Sequence, residues 1–144
     1  MTRTPAAALA LALLAGAAAA EQDDLKLVLG TWDVASVLKD GKEVPLPSEG
    51  KVRLTLKEDG YTITVGDKTV EKGTCKFVAD KTPKAVDIMP TEGPDKGKTV
   101  PAIYEVKGDE MRACAAEPGK ERPTDFTARE GSQRTLSVWK RDKK

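Results

Sequence analysis

The sequence predicts an all-β fold: an antiparallel up-and-down barrel of eight or nine strands, with a two-sheet β-sandwich as the competing solution. Three observations lead there. Apolar and polar residues mostly alternate after residue 27. Turn signals recur about every eight to twelve residues, the spacing of a β-meander. The first and last strands so read each carry a tryptophan, Trp32 and Trp139, as expected of two margins that pair with each other. Alternation gives each strand one buried face. A sheet of many short strands with one buried face must close or fold over, and closure also removes exposed edges.

The elements follow in order. Met1-Thr-Arg3 is a short positive start, Ala6 to Ala15 is an apolar run, and Ala18-Ala19-Ala20 precedes Glu21. That is the layout of a cleaved signal peptide over residues 1–20, leaving residues 21–144 as a single domain. The apolar run is too short for a membrane span, and nothing later approaches about 18 consecutive apolar residues. Leu13-Leu14-Ala15-Gly16 is followed by Ala17 rather than cysteine, so no thiol is present there to carry a lipid. The expectation is a soluble exported protein, periplasmic or extracellular, and not a lipoprotein.

Residues 21–27 read as a loose lead-in or a short helical turn. Thr31 to Leu38 is the first strand, stopped by Lys39-Asp40-Gly41, and a loop with Pro45 and Pro47 follows. Val52, Leu54 and Leu56 alternate with polar residues, and so do Tyr61, Ile63 and Val65 across an Asp59-Gly60 turn. Gly66-Asp67 leads to a strand from Val70 to Val78, with Cys75 and Phe77 on one face. Ala85 to Met89 is a strand, and Pro90 to Pro101 is a long loop. Ala102 to Lys107 and Met111 to Ala116 form a hairpin over Gly108-Asp109. Glu117 to Pro123 is a polar loop, Thr124 to Ala128 a short strand, and Arg134 to Arg141 the last strand. The charged tail Lys140 to Lys144 reads as frayed and solvated.

Composition excludes several functions. All 23 acidic residues and all basic residues except Arg3 lie beyond residue 20, so the domain is close to neutral, without the basic excess of a nucleic-acid binder. There is no histidine, which removes Ser–His and Cys–His pairs and histidine metal sites. Cys75 and Cys114 are the only cysteines. A disulfide between them would stabilise by roughly 4 kcal/mol in the chain-entropy model. Alternation instead favours two separate thiols, Cys75 inward with Phe77 and Cys114 on the opposite face with Arg112. Carboxylate pairs such as Asp87 and Glu105 are expected by chance in a chain that is 33% charged, so the reading is not an enzyme, with no cofactor and no metal.

Three groups of residues stand out. Gly30 and Trp32 open the first strand: the glycine lets the backbone bend and the indole plugs that end of the barrel. In the last strand Trp139-Lys140-Arg141 supplies cations, Lys140 and Arg141, within reach of the Trp32 ring, a contact worth roughly 0.5–2 kcal/mol, and Arg141 is grouped with Gly30 and Trp32 as part of the plug. Tyr61, Phe77, Tyr104 and Met111 alternate inward and are the candidate ligand-contacting residues. Ala113 and Ala115 are small inward residues that either open a cavity or let the walls collapse. Lys120, Glu121, Arg122 and Asp125 form a polar loop cluster in which Arg122 either binds an anion at the barrel mouth or clamps the loop through Glu121 or Asp125. Loop Glu92 to Lys98 is glycine-rich but lacks the spacing of a phosphate loop.

Six stretches carry a resemblance: Leu29-Gly-Thr-Trp-Asp-Val, Asp40-Gly-Lys-Glu-Val-Pro, Lys84-Ala-Val-Asp-Ile-Met-Pro, Glu92-Gly-Pro-Asp-Lys-Gly-Lys-Thr, Ile103-Tyr-Glu-Val-Lys-Gly-Asp and Pro118-Gly-Lys-Glu-Arg-Pro-Thr-Asp-Phe. Spread over residues 27–141, they make the chain resemble an uncharacterised, mainly planctomycete, exported protein family with a lipocalin-like domain. The resemblance implies a lipocalin-like barrel and no particular activity. True lipocalins are longer and carry a flanking helix without a counterpart here, which implies a less roomy interior.

Two functions follow. In one, the barrel interior holds a small apolar or amphipathic ligand. In the other, a solidly packed barrel is a non-catalytic structural or interaction domain of the cell envelope with a protein partner. Neither involves nucleic acid or a membrane span, and oligomeric state is not encoded in these patterns.

Overall fold

A computed structural model describes residues 25–48 and 50–143. The expected signal peptide over residues 1–20 lies outside the described residues. Residues 25–28 form one helical turn, closed by the Leu29 N–H donating to the Leu25 carbonyl at 3.0 Å. Among the described residues nine strands follow: β1 (Gly30–Lys39), β2 (Lys42–Glu43), β3 (Val52–Lys57), β4 (Gly60–Val65), β5 (Lys68–Val78), β6 (Ala85–Glu92), β7 (Val100–Lys107), β8 (Glu110–Ala116) and β9 (Arg134–Arg141). Neighbouring strands pair antiparallel in the order β2-β1-β3-β4-β5-β6-β7-β8-β9, and β1 also pairs with β9. The sheet is therefore a closed eight-stranded, lipocalin-like up-and-down barrel, with β2 as a short addition beside β1. The sandwich alternative does not occur. Among the described residues, no helix is long and apolar enough to cross a membrane.

Closure depends on β1. Its first residues, Gly30 to Asp33, pair with β3, while Trp32 to Lys39 pair with β9. A bulge between Val34 and Ser36 changes the alternation, so Trp32 and Val34 face inward below it and Val37 and Lys39 above it. One end of the barrel is sealed. Trp32 is fully buried there, and its indole N–H donates to the Val28 carbonyl at 2.9 Å. Val28, from the helical turn, is fully buried as well. Gly30 has φ of +123°, a backbone conformation that glycine adopts without strain, and this carries the chain from the turn into β1. The β1–β2, β4–β5, β6–β7 and β8–β9 connections gather at the other end, which is open.

Several boundaries differ from expectation. Gly60 belongs to β4, not to the turn, because Lys57 pairs with Gly60 across a two-residue Glu58-Asp59 turn. Strand β6 runs through Pro90 to Glu92, beside a register shift opposite Lys72 and Gly73, and bulges are where sheets accept proline. No strand forms over 124–128. That stretch belongs to a long segment, 117–133, laid over the outer face of the barrel. Beneath it Ala85, Ile103 and Cys114 are buried, although their register turns them away from the interior. Residues 140–143 are tied down, not frayed, and Lys144 lies outside the described residues: the Asp142 N–H donates to the Thr31 carbonyl at 2.9 Å, and Lys143 pairs with Asp109 at 2.6 Å.

Candidate functional site in the barrel interior

The barrel is not filled. A cavity of about 680 Å³ opens at the end opposite Trp32. Its walls include Tyr61, Phe77, Tyr104 and Met111, so all four candidate ligand-contacting residues meet in one space. Ala113 and Ala115 line it too, and their small side chains leave volume open in place of drawing the walls together. The interior is thus roomier than expected. Toward Trp32 the cavity closes on the core cluster, whose members Leu56, Tyr61, Val86, Tyr104, Met111 and Trp139 line the open space on one side and pack with Trp32 on the other. Trp139 forms part of the cavity floor, and its indole N–H donates to the Ser137 hydroxyl at 2.9 Å. Phe77 and Tyr104 meet edge to face, 5.3 Å between ring centres and 80° between planes, the favoured aromatic geometry.

One wall carries polar chemistry that the alternation pattern did not single out. The Tyr61 hydroxyl donates to Oε2 of Glu71 at 2.6 Å, and both residues line the cavity. Burial, with the Glu71 hydrogen bond second, raises the Tyr61 hydroxyl well above the ordinary tyrosine range. Cys75 lies on the same wall, its thiol pushed up to about 12 by burial and then by the Glu71 charge. Local backbone features build this arrangement. Gly73 pairs with Tyr61, and a Cβ at Gly73 would lie 2.8 Å from Cε1 of Tyr61, so the ring packs onto bare backbone. A bulge at Val70, where Ile63 pairs with Glu71 but Thr64 pairs with Thr69, turns Glu71 inward and leaves Val70 exposed. The available signal was spacing: Glu71 shares its alternation with Cys75 and Phe77. Lys39, Asp95, Lys98 and Glu117 stand around the mouth.

The plug residues come together. The Arg141 guanidinium stacks 4.2 Å from the Trp32 ring centre and donates to the carbonyls of Leu29, at 3.0 Å, and Leu27.

The polar loop cluster does not face the mouth. Arg122 donates to the carbonyls of Val86 at 3.0 Å and Ala102 at 2.9 Å, and pairs with Asp87 at 2.5 Å. It is a clamp, but its carboxylate is Asp87, neither Glu121 nor Asp125. Asp87 lies 35 positions back, where local reading cannot find it. Lys120 and Glu121 are exposed. Asp125 instead accepts from the Thr127 hydroxyl at 2.6 Å, which holds its carboxyl below the usual range, and it pairs with Arg134 at 3.3 Å. Glu105 is likewise taken by an arginine, Arg112, whose guanidinium also covers the Phe126 ring at 4.3 Å. The two cysteines are free thiols on opposite faces. Cys75 lines the cavity, whereas the Cys114 thiol donates to the Thr127 carbonyl at 3.3 Å under the outer loop.

In comparisons with known proteins, the chain matches no family model, no curated protein and no solved structure.

Proposed function

We propose that this is an exported lipocalin-like carrier that holds a small apolar or amphipathic molecule inside its barrel. The observation that carries the reading is the open cavity of about 680 Å³ with Tyr61, Phe77, Tyr104 and Met111 in its walls. Ligand sites are concave, mainly apolar and aromatic, and roughly 300–1,000 Å³ in volume, with a few placed polar groups. The interior has that size and that lining. The competing reading, a solidly packed envelope domain, needs a filled barrel, and the open volume weighs against it. Export is part of the proposal. It is supported by the Arg3 start, the alanine- and leucine-rich run and the small residues before Glu21. So is kinship with the exported, mainly planctomycete proteins, which rests on the motifs from Leu29 to Phe126.

Native mass spectrometry of protein purified from its own host tests this reading, alongside titration of tryptophan emission with apolar probes. The expected result is a bound mass that denaturation releases, and saturable changes in emission from Trp139. Ligand-free mass together with no saturable response across the probes would overturn it.

A further inference from the structure

We infer that the cavity selects an amphipathic cation, with an ammonium group seated against Glu71 and an aliphatic or aromatic body filling the apolar interior. The inference rests on the ligand-binding reading of the barrel and adds the charge of the ligand.

Among the described residues, five carboxylate or lysine side chains line the cavity: Lys39, Glu71, Asp95, Lys98 and Glu117. Lys39, Lys98 and Glu117 are exposed, on solvated stems at the mouth. Glu71 and Asp95 are half-buried, so the two charges set into the wall are both negative. The Tyr61 hydroxyl holds Oε2 of Glu71 at 2.6 Å and thereby orients the carboxylate. Glu71 itself belongs to the cavity wall, so its carboxylate is within reach of whatever fills the interior.

A molecule that fills this space expels water from around Glu71. A neutral body leaves that carboxylate desolvated with no opposite charge supplied by the ligand, which is costly. A carboxylate ligand could reach a lysine only at the mouth, and its presence in the cavity adds like charge to the wall. An ammonium group supplies both the opposite charge and hydrogen-bond donors, in a setting where the attraction exceeds that in bulk water. Tyr61, Phe77, Tyr104 and Trp139 also line the cavity, and their ring faces attract cations.

Three probes of equal chain length test the inference on the intact protein at neutral pH: octylamine, octanol and octanoate, followed by tryptophan emission. Octylamine is expected to bind about tenfold or more tighter than octanol, with octanoate weakest. Glu71→Gln keeps an acceptor for Tyr61 and should bring the octylamine-to-octanol ratio toward one. Asp95→Asn should lower the ratio partway. Circular dichroism melts confirm that the variants fold, and the wild-type series alone decides the matter if they do not. Octanoate binding as tightly as octylamine, or a folded Glu71→Gln variant with an unchanged ratio, would overturn the cation and leave the cavity reading standing. No saturable binding by any of the three would overturn both.

Discussion

Arg141 covers the Trp32 ring at 4.2 Å and, from the same guanidinium, donates to the carbonyls of Leu27 and Leu29. A single side chain therefore fastens the end of β9, the start of β1 and the helical turn that floors the barrel. A cation over a partly desolvated ring contributes roughly 0.5–2 kcal/mol. Hydrogen bonds from a charged donor contribute about 1.5–3 kcal/mol each, less where solvent reaches them. Arg141→Ala should lower unfolding free energy by about 2–4 kcal/mol, read as a lower urea midpoint with an unchanged slope. Arg141→Lys keeps the charge but not the fork, so it should recover only part of the loss. Equal stability of wild type and Arg141→Ala would show that the seam does not depend on this contact.

Gly73 has no room for a methyl group. Its Cβ would stand 2.5 Å from the Met89 carbonyl oxygen, 2.7 Å from Pro90 Cα and 2.8 Å from the Tyr61 ring. Two of those neighbours are backbone and cannot swing aside. Gly73→Ala should cost about 1–3 kcal/mol through overpacking, and it should also move Tyr61 away from Glu71. Thermal melting reads the first effect and probe titration the second. A variant with wild-type melting and affinity would contradict the packing of the ring on bare backbone.

The barrel was legible in the sequence because period-two alternation is local. Arg134 to Arg141 is a strand with the bounds the pattern implies. The pairing of the Trp32 and Trp139 strands follows from the need to close. What the pattern could not convey is non-local. The Arg122 clamp depends on Asp87, and the burial of Ile103 and Cys114 depends on a loop whose path alternation does not encode. Bulges were the other blind spot. Counted on from Lys68, alternation faces Val70 inward and Glu71 outward; counted back from Cys75 and Phe77 it faces Glu71 inward, and the bulge at Val70 is what reconciles the two.

Cys75 yields a pH prediction. Its folded thiol is held up to about 12, above the ordinary cysteine value of 9.0. The folded state therefore keeps the proton more tightly than the unfolded chain does. The resulting stability is fully present below about pH 9 and is lost as pH rises toward about 12. Tyr61, also raised, adds to the same alkaline loss. Urea midpoints should fall over this window, and Cys75→Ala should make the fall shallower without removing it. An identical alkaline slope in wild type and Cys75→Ala would refute the burial of the thiol.

The same wall gives a footprint for occupancy. At pH 8 Cys75 should react far more slowly with a small neutral alkylating reagent than a free thiol does, because the thiolate is the nucleophile. A ligand that fills the cavity should slow it further, since Cys75 lines that space. Mass spectrometry of the Cys75 peptide with and without octylamine reads the difference. Labelling at Cys75 that is indifferent to a bound probe would place the probe somewhere other than the interior.

Arg122 governs the outer face in a way that Cys114 can report. Its guanidinium bonds two strand carbonyls and Asp87, and it lies within the loop whose Thr127 carbonyl accepts from the Cys114 thiol. Both partners of the ion pair are about 30% exposed, 30% for Arg122 and 28% for Asp87, so the contribution is discounted for screening. Arg122→Ala should destabilise by about 2–3 kcal/mol, most of it from the two carbonyls left with a lost donor. The local effect should be larger than the global one. With the clamp gone the 117–133 segment lifts, Cys114 becomes reactive while Cys75 does not, and proteases cut within the loop. Cys114 labelling at the wild-type rate in a folded Arg122→Ala variant would mean that the loop is held by its buried Pro123 and Ala128 instead.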